Sequence, residues 1–80
     1  MEYQIKDFRT EDNKKYVGFM IKDENGNQFA IDKKVSIVDG KTDEKYVEEA
    51  MALAQTEIDE WKASTALVGK KWNPESKSFE

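Results

Sequence analysis

The chain has 80 residues, a net charge of −4, and neither cysteine nor histidine. Its length corresponds to one domain with a small core, and the lack of cysteine excludes disulfides and thiolate zinc sites. The lack of histidine removes the commonest general base and the commonest transition-metal ligand. Because 38% of the residues are hydrophobic, including four Phe, three Tyr and two Trp, we expect a folded rather than a disordered chain.

The sequence shows no feature of a membrane or secreted protein. No apolar run approaches the roughly 18 residues of a membrane span. The N-terminal sequence MEYQIKDF also has no hydrophobic region of the kind found in signal peptides. We therefore expect a cytoplasmic protein without membrane contact, in the host cytoplasm if a phage encodes it.

Three segments in the first half of the chain have the alternation of β-strands. Residues 2–9 place Tyr3 and Ile5 on one face, and Phe8 breaks the alternation, which indicates a bulge near Asp7. The polar residues 10–14 are expected to form a loop to the second strand. Residues 15–22 and 27–35 then alternate regularly. Their inward residues are Val17, Phe19, Ile21, Phe29, Ile31 and Val35.

The sequence DENGNQFAID (residues 23–32) has two interpretations, a calcium-binding loop or a turn between strands. A calcium loop needs glycine at its sixth position and a bidentate carboxylate at its twelfth. Counting from Asp23, these positions hold Gln28 and Lys34. A three-residue hairpin loop with a left-handed Gly26 instead places the apolar residues of both strands on one face. We therefore predict a hairpin and no metal site.

Residues 42–63 are predicted to form one amphipathic helix that begins at Thr42, a suitable N-cap. At 100° per residue the apolar side chains fall within a stripe about 80° wide. The stripe comprises Val47, Ala50, Met51, Ala54, Ile58 and Trp61, with Tyr46 and Leu53 at one edge. The opposite side is acidic, and between Thr42 and Lys62 seven acidic residues stand against two lysines.

After the helix, residues 66–72 (ALVGKKW) are predicted to form a fourth strand with Val68 and Trp72 facing inward. A right-handed crossover would bring this strand to an edge of the sheet, and we favour the edge beside the first strand. The sequence Asn73-Pro74-Glu75 is typical of a turn. We therefore expect one domain at residues 1–73 and a flexible tail at 74–80, although the tail could instead dock Phe79 on a neighbouring molecule.

The predicted fold class is thus α+β. A small antiparallel meander of three strands is followed by one amphipathic helix, packed on one sheet face, and a C-terminal fourth strand (β-β-β-α-β). In general character the chain, which ends in GKKWNPESKSFE, resembles small proteins of bacteria and phages. This resemblance assigns no functional residue.

The sequence predicts binding rather than catalysis. Acid–base catalysis requires carboxyl groups whose pKa values are shifted by burial, whereas the acidic residues here fall at surface positions. No phosphate-binding loop, nucleophile motif or cofactor motif is present. We therefore expect no enzymatic activity and no cofactor.

The first candidate site is the outer face of the sheet, which would bind another protein or a second copy of the chain. Its residues are Tyr16, Met20, Lys22 and Lys34. Gly18 is expected to leave a shallow gap between Tyr16 and Met20, and both residue types are enriched at interfaces. A free sheet edge is an alternative place for the same function. A homodimer would compensate for the small core.

Two other functions remain as alternatives. The acidic helix face would serve an inhibitor that mimics nucleic-acid phosphates, through Glu48, Glu49, Asp59 and Glu60. A single-stranded nucleic-acid binder would use lysines near Tyr16 and Trp72. Those lysines are Lys14, Lys15, Lys33, Lys34, Lys70 and Lys71. Acidic residues are interleaved with them, so we rank nucleic-acid binding behind protein binding.

Overall fold

Three strands at the start of the chain form the sheet on which the helix packs. The computed structural model describes residues 1–80, with strands β1 (Glu2–Glu11), β2 (Lys14–Lys22) and β3 (Gln28–Ser36) in the antiparallel order β1-β2-β3. Helix α1 (Asp43–Thr65) follows, and the chain ends in two short paired strands, β4 (Trp72–Asn73) and β5 (Ser78–Phe79). The predicted α+β class is confirmed.

The turn between β1 and β2 is shorter than the predicted loop at 10–14. β1 continues to Glu11 and β2 begins at Lys14, so only Asp12 and Asn13 connect them. Both residues have positive φ angles, 52° and 60°, as in the type I′ turns that match the twist of a hairpin. Asp and Asn tolerate this left-handed backbone better than most residues. The strands therefore extend into the polar segment.

The turn between β2 and β3 is the predicted three-residue loop. Gly26 has a φ of 85°, and its N–H donates to the Asp23 carbonyl at 3.3 Å. The Asp23 N–H donates to the Asn27 carbonyl at 3.0 Å. The Asp23 carboxylate accepts hydrogen bonds from the backbone N–H groups of Asn25 and Asn27 and from the Asn27 side-chain amide. The carboxylate thus holds the turn together.

A bulge keeps the apolar residues of β1 on the side of the sheet that faces α1. The pairing with β2 shifts after Ile5 and leaves Lys6 without an opposite residue. Because one residue is inserted, Ile5 lies opposite Phe19 and Phe8 lies opposite Val17, both on the helix side. The bulge that the sequence predicts in this strand is confirmed, and it absorbs the break in alternation at Phe8.

The core lies between α1 and the strands β2 and β3. Its buried residues are Val17, Phe19, Ile21, Ile31, Val35, Tyr46, Ala50, Ala54 and Ile58. Phe29 and Trp61 close one end of this core by stacking, with ring centroids 5.5 Å apart. The alanines have no side chain beyond the β-carbon, which lets the helix approach the sheet closely. The apolar residues on both sides of Gly26 therefore face the helix, as predicted.

Helix α1 begins directly after its predicted cap. The Thr42 hydroxyl accepts a hydrogen bond from the Lys45 N–H at 3.3 Å, and acidic residues occupy the first turn, where the helix dipole favours them. The helix extends to Thr65, slightly past its predicted end at 63. It has no apolar stretch long enough to cross a membrane.

The backbone of the helix lies over β3 and β2 rather than over β1. Tyr3 and Ile5, which lie on the helix side of β1, consequently stay 44% and 45% exposed. No fourth strand joins the sheet, so the outer edges of β1 and β3 are both unpaired. These two edges differ in the side chains around them.

The C-terminal segment does not form the strand predicted at 66–72 in the main sheet. Residues 66–69 form turns, and only Trp72 of that segment lies in a strand. β4 pairs with β5, and neither strand contacts the sheet or the helix. The predicted inward positions of Val68 and Trp72 are wrong, because these side chains are 68% and 54% exposed.

A local turn explains this difference. The Asn73 side-chain carbonyl accepts hydrogen bonds from the N–H groups of Glu75 and Ser76, and the Trp72 ring packs edge-to-face on Phe79 at 5.2 Å. A hairpin between neighbouring residues closes a short loop, whereas docking on the sheet would close a loop around the whole helix at a higher entropy cost. Residues 74–80 therefore include the turn and strand β5.

Candidate functional site

The outer sheet face holds the four residues that the sequence singles out. Tyr16, Met20 and Lys22 alternate along β2 with core residues, and Tyr16 lies opposite Lys34 of β3. The four side chains therefore share one side of the sheet. Tyr16 and Met20 are half-buried, and Lys34 is exposed. This face presents parts of two apolar side chains rather than a broad apolar patch.

Charged side chains fill the gap that was expected at Gly18. Lys6 Nζ and Asp32 Oδ1 form an ion pair at 3.5 Å, and a β-carbon added to Gly18 would lie 2.5 Å from that Asp32 oxygen. The Arg9 guanidinium lies 4.7 Å from the centroid of the Tyr16 ring. The prediction of a shallow gap is wrong, because the bulge in β1 brings Lys6 over the glycine.

The acidic surface of α1 is partly neutralised and divided into two groups. Its predicted residues are Glu48, Glu49, Asp59 and Glu60. The first two form ion pairs, with Lys45 at 3.3 Å and with Lys41 at 2.7 Å. The other two lie about 16 Å further along the helix axis, at 1.5 Å per residue. Two separate small groups of charge produce a weaker field than one continuous acidic row.

The lysines proposed for nucleic-acid binding are dispersed. Lys33 lies on the helix side of the sheet and pairs with Glu57 at 2.5 Å. Lys15 Nζ lies 4.8 Å from the centroid of the Phe8 ring. Lys70 and Lys71 lie in the segment between the end of α1 and β4, outside the sheet. The structure does not assemble these residues with Tyr16 and Trp72 into one basic surface.

One surface groove lies beside the free edge of β3. Its volume is about 610 Å³, and it opens to solvent. It is lined by Lys34, Val35, Ser36, Val38, Lys41, Glu49, Ala52 and Leu53. The volume falls in the range of sites that hold small ligands or several peptide side chains.

The groove exists because the chain covers only one of two apolar residues on the same edge of α1. Tyr46 and Leu53 lie seven residues apart and therefore point to the same side of the helix. The segment after β3 folds over Tyr46, whose hydroxyl accepts from the Val38 N–H and donates to the Val38 carbonyl, each at 3.1 Å. No residue covers Leu53, which is 56% exposed, and Val38 remains 51% exposed beside it.

The backbone of β3 offers free hydrogen-bonding groups next to this groove. The bond from the Asp23 N–H to the Asn27 carbonyl places the hydrogen-bonded pairs of the β2–β3 hairpin at the odd-numbered residues of β3. The even-numbered residues, among them Asp32 and Lys34, therefore direct their N–H and C=O groups to the unpaired edge. An apolar groove and an open strand edge thus lie side by side.

Sequence analysis does not identify this groove. It assigns Lys34 and Glu49 to two different candidate surfaces, although both line the groove. Leu53 at the edge of the helical stripe is the available signal. That signal is insufficient, because whether Leu53 is covered depends on the path of residues 37–41.

The charged carboxylate of Asp23 stabilises the β2–β3 turn. The hydrogen bond from the Asn27 side-chain amide, together with bonds from backbone N–H groups, lowers the pKa of the Asp23 carboxyl. The carboxylate that the calcium interpretation would have used is therefore engaged in the turn. No group of three or more acidic side chains is arranged to hold a metal ion.

No protein-family model matches the chain, and no curated protein or solved structure is significantly similar to it. The class of protein is thus described by its fold. It is a small α+β protein in which one helix covers an antiparallel meander and leaves both sheet edges unpaired.

Proposed function

We propose that this chain is a non-catalytic protein-binding module that receives an extended segment of a partner protein at the free edge of β3. The observation that carries the proposal is the position of the groove, whose apolar side chains lie beside a strand edge with unpaired backbone groups. In β-strand addition, an extended peptide pairs with an exposed sheet edge as an extra strand, and this binding mode uses both features. Main-chain hydrogen bonds supply affinity, and pockets for alternate side chains supply specificity.

The side chains around the edge define which segment fits. A ligand residue that faces the helix side would lie next to Val35 and contact Leu53 and Val38, so an apolar side chain is favoured there. The adjacent ligand residues would face the outer side of the sheet, where Lys34 favours an acidic side chain opposite it. We therefore expect the bound segment to carry an acidic residue opposite Lys34 and apolar residues on either side of it.

Substitutions at Lys34 test the backbone part of this proposal. Short peptides are first selected from a displayed random library for binding to the protein, and their affinities are then measured for variants. Lys34→Pro removes an N–H that points to the free edge and leaves the β2–β3 hydrogen bonds intact. We expect it to weaken binding by about tenfold or more, equivalent to about 1.4 kcal/mol. Lys34→Ala retains the N–H and should weaken binding less.

A second pair of variants tests the groove. Leu53→Asp places a charge in the apolar contact, and we expect it to reduce affinity by about tenfold or more. Ala63→Asp introduces the same charge at an exposed position in the last turns of α1 and should leave affinity unchanged. Selected peptides that bind normally to both Lys34→Pro and Leu53→Asp would contradict the proposal. If Tyr16→Ala with Met20→Ser abolishes their binding instead, the outer face is the site.

A further inference from the structure

The edge of β1 has a different character from the edge of β3. Tyr3 and Ile5 lie on the helix side of β1, but the backbone of α1 lies over β3 and β2, and Tyr3 and Ile5 stay nearly half exposed. From the helix, Lys62 Nζ lies 5.9 Å from the centroid of the Tyr3 ring. Apolar side chains on an unpaired strand edge favour pairing with another strand.

The hydrogen-bonding groups of Tyr3 and Ile5 point away from the sheet. The odd-numbered residues of β2 bond to β3, so its even-numbered residues bond to β1. Within the N-terminal half of β1, Glu2 and Gln4 lie opposite even-numbered residues of β2 and form those bonds. Tyr3 and Ile5 therefore present free N–H and C=O groups on the same edge as their exposed side chains.

The bulge at Lys6 divides β1 into two halves, because a bulge bends the strand and interrupts regular pairing. Symmetric antiparallel pairing of the C-terminal half, centred on Arg9, would place Arg9 opposite Arg9 of a second copy. It would also place Asp7 opposite Glu11 of that copy. Like charges directly opposite one another are destabilising, so the Arg9-centred register is disfavoured.

The N-terminal half is suited to self-pairing. Antiparallel pairing centred on Gln4 places Tyr3 opposite Ile5 of the second copy, and the free backbone groups of these residues face each other. Glu2 then lies opposite Lys6 of the second copy, and both side chains occupy the outer sheet face. A shift of the register by two residues would leave Glu2 without a lysine of the second copy opposite it, whereas Lys6 would keep its ion pair with Asp32. Charge and apolar contacts thus favour the same register.

We propose that two copies of this chain associate through the N-terminal half of β1, with the two-fold axis at Gln4. The two sheets then form one continuous sheet of six strands, with both helices on the same face. Tyr3 and Ile5 of both copies fill the space between the helices. This interface lies on the opposite edge from the peptide site proposed for β3 and goes beyond that function. Both sites can be occupied together.

The size of the contact limits its strength. Two strand segments of this length bury less than the roughly 1,200 Å² of a small stable interface. We therefore expect a dimer that dissociates on dilution, so a method that captures a weak dimer is required.

A single introduced cysteine provides that method, because the chain contains no cysteine. In the proposed register the two Gln4 residues form a non-hydrogen-bonded pair, with Cα atoms about 4.5 Å apart, which is within the range for disulfides. Gln4→Cys under mild oxidation should therefore form a covalent dimer rapidly and nearly completely. Arg9→Cys, at the centre of the other half, and Glu2→Cys, displaced from the axis, should remain mostly monomeric.

Sedimentation equilibrium of the unlinked protein supplies an independent measurement. We expect the wild-type mass to rise from monomer towards dimer with concentration. Glu2→Lys should weaken association at least tenfold, since it places two lysines opposite each other. Glu75→Lys makes the same change of net charge in the C-terminal hairpin and should not affect association. The thermal unfolding midpoints of both variants check that the fold persists.

Two results would overturn the proposal. One is a Gln4→Cys protein that is oxidised no faster to dimer than Arg9→Cys or Glu2→Cys. The other is a wild-type protein that remains monomeric at all concentrations. Neither result would affect peptide binding at β3, because Lys34→Pro and Leu53→Asp alter the opposite edge. Failure of the dimer and failure of the proposed function are therefore distinguishable.

Discussion

The sheet–helix body (β1, β2, β3 and α1) and the C-terminal hairpin (β4 and β5) are stabilised in different ways. In the body, apolar side chains from two surfaces bury one another, with Phe19 and Ile58 fully enclosed. In the hairpin, the one aromatic pair is Trp72 with Phe79, both about half exposed, and the turn at Asn73 supplies the hydrogen bonds. Apolar residues thus determine structure where a second apolar surface matches them. In the C-terminal hairpin, which has no such matching surface, the hydrogen bonds of the turn at Asn73 determine the structure.

The largest expected effect is in the body. Phe19→Ala removes a fully buried ring, and such changes cost about 3–5 kcal/mol. An 80-residue chain has a total stability of only about 4–12 kcal/mol, so this variant should be near the limit of folding. Urea unfolding followed by circular dichroism measures the loss. A cost below about 1 kcal/mol would mean that the core is not located between α1 and β2.

A smaller effect is expected from glycines with positive φ angles. Gly26→Ala forces alanine into the left-handed conformation within the body, at a cost of about 1–2 kcal/mol. Gly69 has nearly the same φ, 88° against 85° for Gly26, but it lies in the segment that leads to the hairpin. Gly69→Ala should therefore leave the urea midpoint of the body unchanged. Equal losses from the two variants would contradict the separation of body and hairpin.

The β2–β3 turn should make the stability of the body depend on acid pH. The pKa of Asp23 is lowered in the folded protein. Its stabilising contribution is therefore present above the unfolded pKa of about 3.9 and is lost as the pH falls through the lower folded pKa. Asp23→Asn should be less stable than wild type at neutral pH, and the two should converge in strong acid. A stability difference that is independent of pH would rule out this role for the carboxylate.

The smallest effect on the body is expected from the hairpin itself. Trp72→Ala removes the aromatic pair with Phe79, but β4 pairs only with β5 and Trp72 is about half exposed. We expect the free energy of unfolding to change by less than about 0.5 kcal/mol, as for other surface changes. The remaining Trp61 fluorescence still reports unfolding of the core. A loss comparable to that of Phe19→Ala would show that the hairpin stabilises the body.

Much of the body could be predicted from the sequence, because several local signals agree. The alternation in β2 and β3, the left-handed glycine at 26 and the helical stripe all indicate one common apolar side, and the structure has it. The unusual spacing from Ile5 to Phe8 also indicates the bulge correctly. Each of these features depends on residues close together in the sequence.

The features that could not be predicted depend on which surfaces meet. The apolar letters of ALVGKKW do not reveal that this segment stays outside the sheet and that Trp72 pairs with Phe79 instead. The groove is a similar case, since Leu53 has the same helical position as Tyr46 but lacks the covering segment. The ion pair over Gly18 requires the bulge to place Lys6 across the sheet. These outcomes follow from tertiary packing rather than from periodicity.

Hydrogen exchange at the backbone amides of β3 is the most direct test of the central claim, that this strand edge is open and receives an extended segment. In the free protein, we expect the amides of Asp32 and Lys34 to exchange rapidly, while those of Ile31 and Val35 are protected by β2. With a selected peptide bound, the Asp32 and Lys34 amides should become protected. Rapid exchange of these two amides in the peptide complex would contradict strand addition at β3.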